Sequence, residues 1–242
     1  PFRSPHHTVT AQALVGGGKQ PHPGEISLAH HGILFLDELA EFKPGILDVL
    51  REPLEEKKVH ISRVGGSFVY PADFMLVAST NPCPCGFYPN LERCNCRPQA
   101  IKNYISRISQ AFLNRIDLCV ETEEVRYTTM VDVREEESSA VIRARVEQVH
   151  EIQRERFKGR KYRFNSQMNM EDLETFCVLD EESAERMQDK YEEYHLSART
   201  YGKILKTART IADMDGAENI EWGHLEEAFF FRNPDKNYWR RD

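Results

Sequence analysis

Two short apolar runs in the first half of the chain predict strands buried inside a sheet. The first covers residues 32–36 and stops at Asp37 and Glu38, and the second covers residues 74–79. Neither run alternates between apolar and polar positions, which is typical of central parallel strands buried on both faces. Because a helical pattern at residues 44–56 lies between them, we expect an α/β sheet in which the two strands are parallel.

Weaker patterns predict the remaining elements of this half. Residues 59–63 and 67–70 flank a Val-Gly-Gly turn and predict a β-hairpin. A helix is expected at residues 99–114 and another short strand at residues 116–120. The Pro-rich and Gly-rich residues 1–31 are expected to form long loops with one short helix.

The second half of the chain is predicted to be helical. Helical spacing dominates five segments, at residues 128–157, 170–177, 181–194, 198–213 and 221–231. We therefore predict an α/β domain at residues 1–127, followed by a small all-helical domain at residues 128–242.

Composition and charge narrow the class of protein. Hydrophobic residues make up 40% of the 242 positions and charged residues 29%, which is typical of a globular protein. A net charge of −7 argues against a surface that binds nucleic acid all over and confines any such contact to a local basic site. No apolar run is long enough to span a bilayer, and the N-terminus lacks a signal-peptide pattern, so we expect a cytoplasmic chain without membrane contact.

Polar residues follow both predicted strands at the sheet edge where α/β proteins bind ligands. Asp37 and Glu38 end the first strand, and Ser79, Thr80 and Asn81 end the second. One carboxylate can bind Mg²⁺ while the other polarises water, as nucleoside triphosphate hydrolysis requires, and Asn81 can contact the γ-phosphate. The alternative is that the acids only mark the surface end of a strand and that Asn81 starts a turn.

Several longer blocks resemble one family, the magnesium-chelatase-like AAA+ ATPases of the competence-associated ComM/YifB type. These blocks follow the family's order and cover nearly the whole chain: PFRSPHH (1–7), ALVGGG (13–18), GEISLAHHGILFLDE (24–38), STNPCPCG (79–86), LNRID (113–117) and ARTIAD (208–213). The resemblance implies a partial AAA+ nucleotide-binding sheet with a small helical lid.

The resemblance also implies a hexameric, ATP-driven motor that acts on DNA, in branch migration or helicase-like unwinding during natural transformation. Asp37 and Glu38 correspond to the Walker B acids that bind Mg²⁺ and activate water, and Asn81 to the first sensor. Arg115 lies where the family has the arginine finger for the neighbouring subunit, and Arg199 corresponds to the second sensor. For each arginine, the alternative is an exposed cation without a role in the reaction.

The chain departs from the family pattern at the phosphate-binding loop. No G-x-x-x-x-G-K-S/T sequence is present, and Gly16-Gly17-Gly18-Lys19 has neither its spacing nor its hydroxyl residue. The family has this loop upstream of the position of Pro1. The chain by itself is therefore expected to bind ATP poorly and to hydrolyse little.

Four cysteines in a short window predict a metal site. Cys83, Cys85, Cys94 and Cys96 have the spacing C-x-C-x8-C-x-C, and four thiolates in one loop can bind a structural Zn²⁺. The alternative is a loop with free thiols. The other two cysteines, Cys119 and Cys177, have apolar neighbours and are expected in the core.

Basic residues near the hairpin are candidates for DNA contact. Lys57, Lys58, His60 and Arg63 are expected together at the hairpin tip, where the family has pore loops, and the alternative is a charged strand edge exposed to solvent. The His6–His7 and His30–His31 pairs are expected in loop or packing roles. Two rival functions remain open: the motor subunit of a metal-inserting chelatase, and a non-catalytic, zinc-stabilised module for DNA binding or assembly.

Overall fold

The computed structural model describes residues 1–43, 45–63, 66–122 and 137–232. The chain divides into two compact units, one that begins at Pro1 and ends at Ile116 and one that begins at Asp117. The predicted domain boundary at residues 127/128 lies outside the described residues.

The first unit is an α/β unit. Its elements in chain order are β1 (Phe2–Arg3), α1 (Ala11–Val15), β2 (Gly16–Gly17), β3 (His22–Pro23), α2 (Glu25–Leu28), β4 (Ile33–Leu36), a 3₁₀ turn (Leu39–Glu41), a second 3₁₀ turn (Leu47–Leu50), α3 (Arg51–Glu56), β5 (Lys58–Arg63), β6 (Gly66–Pro71), β7 (Met75–Ala78), α4 (Pro98–Ile105) and α5 (Gln110–Leu113).

The main sheet of the first unit is parallel, as predicted. Its described strands have the order β1-β4-β7, so that β4 lies in the middle. Leu36 pairs with Ala78, and β4 and β7 therefore end at the same edge of the sheet. Leu34 and Leu36 are fully buried and pack in a core with helical residues such as Leu14, Leu50 and Phe112.

The prediction that both long strands are buried on both faces is wrong for β7. The Met75 side chain is 63% exposed and that of Val77 is 40% exposed. Within the described residues, only β4 has neighbouring strands on both sides, and β7 has one neighbour. An apolar run alone therefore does not show whether a strand lies inside the sheet or at its edge.

The N-terminal segment contains more regular structure than predicted. Phe2 and Arg3 extend the sheet beside β4, and Thr10 caps α1 through a hydrogen bond from the amide of Ala13 (3.1 Å). The glycine-rich stretch forms a tight pair of strands with φ of +103° at Gly16, where a Cβ atom would lie 2.3 Å from the carbonyl oxygen of His22. The glycines therefore serve close backbone packing.

Two predicted helices are each interrupted. The 44–56 segment contains the 3₁₀ turn Leu47–Leu50 before α3. Pro53 has no N–H group to donate to the carbonyl group of residue 49, so the α-helical hydrogen bonds do not extend over this turn. The 99–114 segment divides into α4 and α5, because Ser109 accepts a hydrogen bond from the amide of Phe112 (3.2 Å) and begins a new helix.

The predicted strand at residues 116–120 is wrong. These residues form no regular element, and the side chains of Leu118 and Val120 are exposed. The amide of Cys119 donates instead to the carbonyl oxygen of Phe231 (2.7 Å), so it has no ladder partner in a sheet.

The second unit is helical, as predicted. Its described helices are α6 (Ser139–Arg156), a 3₁₀ turn (Asn165–Gln167), α7 (Met170–Phe176), α8 (Glu181–Glu193), α9 (Ala198–Met214) and α10 (Trp222–Arg232). The first predicted helix begins at Ser139 rather than at residue 128, because Ser138 caps it; residues 128–136 lie outside the described residues. Ile204, Leu205, Ala208 and Leu225 lie in its core.

Candidate functional site

The ends of β4 and β7 bring polar side chains together at one edge of the sheet. Asp37 follows β4 and Ser79 follows β7, and the hydroxyl group of Ser79 donates a short hydrogen bond to Oδ1 of Asp37. Backbone hydrogen bonds continue past the strands, from the amide of Ser79 to the carbonyl of Leu36 (3.0 Å) and from Leu39 to Ser79 (2.8 Å). An exposed carboxylate beside a hydroxyl group offers the oxygen ligands that Mg²⁺ prefers.

Glu38 leaves the strand in an unusual backbone conformation. Its φ of 52° and ψ of 50° lie in the left-handed region, and its amide donates to Oδ1 of Asp37 (3.0 Å). Its carboxylate contacts Nδ1 of His7 (3.1 Å). His7 was expected in a loop or packing role, and nothing in the spacing of His7 and Glu38 along the sequence indicates this contact.

Asn81 lies exposed just beyond Ser79, and a buried tyrosine approaches the same segment. Burial raises the pKa of Tyr104 and the nearby Glu41 carboxylate raises it further, whereas the neighbouring Thr80 side chain lowers it. Arg107 donates to Glu41 (2.9 Å) and to the carbonyl oxygen of Ala40 (3.2 Å). Contacts from Tyr104 and Arg107 thus tie α4 and the turn after it to the segments that follow both β7 and β4.

The two candidate arginines differ in their surroundings. Arg115 has a side chain only 10% exposed, which pairs with Glu55 (3.0 Å) and donates to the carbonyl oxygen of Arg51 (3.3 Å). Arg199 belongs to the second unit, where it lies exposed in the first turn of α9. The Arg115 guanidinium is thus held within the first unit by Glu55 and by backbone carbonyl oxygens.

The prediction that four basic residues meet at the hairpin tip is wrong. Lys57 and Lys58 lie at the base of the hairpin, because β5 begins at Lys58 and Arg63 pairs with Gly66 near the turn. Lys57 pairs with Asp73 (3.2 Å) and His60 with Glu52, which offsets part of the positive charge. Lys58 is exposed, and the side chain of Arg63 lies outside the described residues.

The four clustered cysteines meet in space, as the predicted metal site requires. The Sγ atoms of Cys83 and Cys85 are 3.4 Å apart, and that of Cys94 lies 3.8 Å from the first and 3.6 Å from the second. With Cys96, all four sulfur atoms lie within 4.8 Å of one another. Of the other two cysteines, Cys177 is buried as expected, and Cys119 is only half-buried.

Peptide groups and neighbouring thiols set the charge of this cluster. The peptide N–H of Phe87 lowers the pKa of the Cys85 thiol to about 6. A hydrogen bond with Cys85 raises the pKa of Cys96 to about 12. Cys85 is therefore the first of this pair to become a thiolate near neutral pH.

Comparisons with known proteins agree in both halves of the chain. The family described as magnesium chelatase, subunit ChlI, matches residues 1–130, and the family of its C-terminal region matches residues 136–232. The uncharacterized protein YifB of Salmonella typhimurium is 42% identical over 237 residues, which are 98% of this chain and 46% of that protein. The competence protein ComM of Haemophilus influenzae is 42% identical over 96% of this chain and 45% of its own length.

More distant similarity extends to a chelatase subunit. The magnesium-chelatase 38 kDa subunit of Acidiphilium rubrum is 31% identical over 112 residues, which are 46% of this chain. The chain spans about half the length of the first two relatives. Within the described residues, no helix is long and apolar enough to cross a membrane.

Proposed function

Because this chain belongs to the magnesium chelatase subunit ChlI family, we propose that it forms part of an ATP-hydrolysing, ring-forming motor. The motor acts on DNA in the cytoplasm, by branch migration or helicase-like unwinding linked to natural transformation. The similarity to a competence protein over nearly the whole chain supports the process, and the AAA+ resemblance supports a hexamer.

One observation carries the enzymatic part of this proposal: adjacent acids leave the central strand of a parallel sheet next to a hydroxyl group on the neighbouring strand. Asp37, held by Ser79 and by the amide of Glu38, has a fixed orientation from which to bind a cation. Mg²⁺ bound there would neutralise charge on the phosphate oxygens of ATP. Glu38 orients the attacking water once its carboxylate is released from His7.

The remaining roles follow from position and chemistry. Asn81, exposed beyond β7, contacts the γ-phosphate. Arg115 leaves Glu55 to stabilise the transition state in the neighbouring subunit, and Arg199 contacts nucleotide from the second unit. The phosphate-binding loop comes from the rest of the full-length protein.

DNA contact is assigned to the hairpin of β5 and β6, which carries Lys58 and Arg63 at its two ends. Local cations of this kind form phosphate contacts that can be made and broken in each cycle. Because the net charge is −7, such contacts must remain local. A structural Zn²⁺ in the cysteine loop completes the proposed set of bound groups.

The test is the Asp37→Asn substitution in the full-length protein. Loss of one charge at the cation site is expected to lower DNA-stimulated ATP turnover at least about tenfold, with partial recovery at higher Mg²⁺ concentration. Asp189→Asn, at an exposed position of α8, is the matched control and retains wild-type turnover. Unchanged turnover in Asp37→Asn would remove this carboxylate from the reaction.

A chelatase-type motor is the second candidate, favoured by the partial similarity to the 38 kDa chelatase subunit. Such a motor would hydrolyse ATP without stimulation by DNA. Turnover of the full-length protein with and without single-stranded or branched DNA distinguishes the two candidates.

A further inference from the structure

The four cysteine sulfur atoms already have the separations of a tetrahedral metal site. In a zinc tetrathiolate with Zn–S bonds of about 2.3 Å, neighbouring sulfur atoms lie about 3.8 Å apart. The observed separations of 3.4, 3.6 and 3.8 Å among Cys83, Cys85 and Cys94 are close to this value, and Cys96 completes the set. A disulfide needs about 2.05 Å, and none of these cysteines is disulfide-bonded.

Peptide groups of the loop also act on the cysteine sulfur atoms. The peptide groups of Phe87, Cys96 and Cys85 lower the pKa of the Cys85, Cys94 and Cys96 thiols, respectively. Peptide groups placed in this way stabilise thiolates and orient them toward a metal.

The loop between the two cysteine pairs has little core of its own. Leu91 is 77% exposed and Phe87 is 42% exposed, and the Arg93 guanidinium lies 4.2 Å from the centre of the Phe87 ring. Asn90 holds one turn by accepting bonds from the amides of Arg93 (3.2 Å) and Cys94 (2.8 Å). A loop with so few apolar contacts gains order from a bound metal.

From this arrangement we propose that Cys83, Cys85, Cys94 and Cys96 bind one Zn²⁺ ion, which fixes the segment that carries Asn81. Zinc binding releases the remaining thiol protons to solvent, so that all four ligands are thiolates. The first cysteine pair begins two residues after Asn81, and the second ends just before α4. The ion therefore joins the end of β7 to the start of α4.

The loop lies close to the Asn81 side chain. A Cβ atom built on Gly86 would lie 3.9 Å from both Cγ and Oδ1 of Asn81, so the turn after the first cysteine pair passes beside this side chain. Asn81 is the residue positioned, and the ion acts through the loop. The positioning of Asn81 rests on the proposed function, because that function assigns Asn81 a contact with the γ-phosphate of ATP.

The metal site is tested without any activity measurement. The full-length protein is purified in reducing agent without added metal, and its zinc content is measured by inductively coupled plasma mass spectrometry. We expect about one zinc per chain in the wild type, near zero in Cys94→Ser, and about one in the control Cys177→Ala. Zinc near zero in the wild type after incubation with excess Zn²⁺, or equal zinc in Cys94→Ser, would overturn the site.

A spectroscopic measurement keeps the test decisive if Cys94→Ser does not fold. Co²⁺ is added to metal-depleted wild-type protein, and absorption bands of tetrahedral cobalt thiolate are expected that disappear when Zn²⁺ is added. Bands of octahedral cobalt alone would overturn the tetrathiolate.

The link to Asn81 is tested by removing and restoring zinc in the full-length protein. Zinc removal is expected to lower the kcat for ATP at least tenfold with little change in KM, and reloading is expected to restore it. Unchanged kcat would overturn the positioning role and leave the metal site intact. If the zinc-loaded wild type hydrolyses no ATP, the proposed function fails, whereas the zinc content still decides the site.

Discussion

The backbone at Glu38 is strained in a way that supports a functional role. A non-glycine residue in the left-handed region costs about 1 kcal/mol or more, and such residues cluster at active sites. Surrounding hydrogen bonds hold Glu38 there, including one from the amide of Glu41 to its carbonyl oxygen (2.7 Å). The turn lets two consecutive residues present their carboxylates at the same strand end.

The contact with His7 is expected to restrain the carboxylate of Glu38, the proposed base. Both side chains are partly exposed, at 27% and 53%, so the pair is worth at most about 1 kcal/mol. His7→Ala in the full-length protein is therefore expected to raise basal ATP turnover by up to about fivefold. Steady-state turnover of the variant and the wild type measures the effect.

His22→Ala is the control, because His22 is an exposed histidine of the same N-terminal segment that lies in β3. It should leave turnover unchanged. A large fall in turnover in His7→Ala would show instead that His7 takes part in the reaction.

For single residues, the sequence predicted candidate residues better than it predicted their side-chain contacts. Asp37 and Glu38 were predictable because an apolar strand that stops at acids is a local pattern, and the cysteines because their spacing is short. The pairs His7–Glu38 and Arg115–Glu55 join residues that are distant in sequence, so no periodicity indicates them.

Helix α9 shows how one element organises the second unit. Arg209 is buried on it and donates to Asp213 (3.1 Å) and to the carbonyl oxygens of Ala217 (2.7 Å) and Glu218 (2.8 Å). Arg156 of α6 also pairs with Asp213. The ARTIAD block that supported the family resemblance therefore has a structural role.

Removal of the Asp213 carboxylate is expected to destabilise the second unit strongly. In Asp213→Ala, two buried or nearly buried guanidinium groups lose their shared partner, which typically costs about 3–5 kcal/mol. Chemical denaturation of the chain measures the free energy of unfolding.

The matched control is Asp215→Ala, two residues away, where the carboxylate is 65% exposed and pairs with His224. It is expected to cost less than about 1 kcal/mol. Equal losses in the two variants would contradict the importance of the buried network.

Element types were more predictable than their ends and partners. The hairpin and the four later helices agree with their patterns because each has a clear period and turn or cap residues. The strand at residues 116–120 failed because an apolar run forms a strand only where a neighbour accepts its hydrogen bonds. The predicted helix at residues 44–56 is α-helical only from Arg51, because Pro53 has no N–H group to donate to the carbonyl group of residue 49.

For the whole molecule, the candidate residues are distributed over both units. The two acids, Asn81 and Arg115 belong to the first unit, and Arg199 belongs to the second. The proposed hexamer would combine them with the phosphate-binding loop of the full-length protein. Fold class and family were predictable from the order of the motifs, whereas the paired state of Arg115 required the structure.

The proposal that Glu38 activates water for ATP hydrolysis is tested by Glu38→Gln in the full-length protein. An amide of the same size cannot accept a proton but leaves Asp37, the proposed Mg²⁺ ligand, intact. ATP binding and single-turnover hydrolysis are measured on the same preparations, with Glu226→Gln at an exposed position of α10 as control. We expect wild-type ATP affinity, with hydrolysis slowed at least about 100-fold. Hydrolysis at the wild-type rate would show that Glu38 does not activate the water.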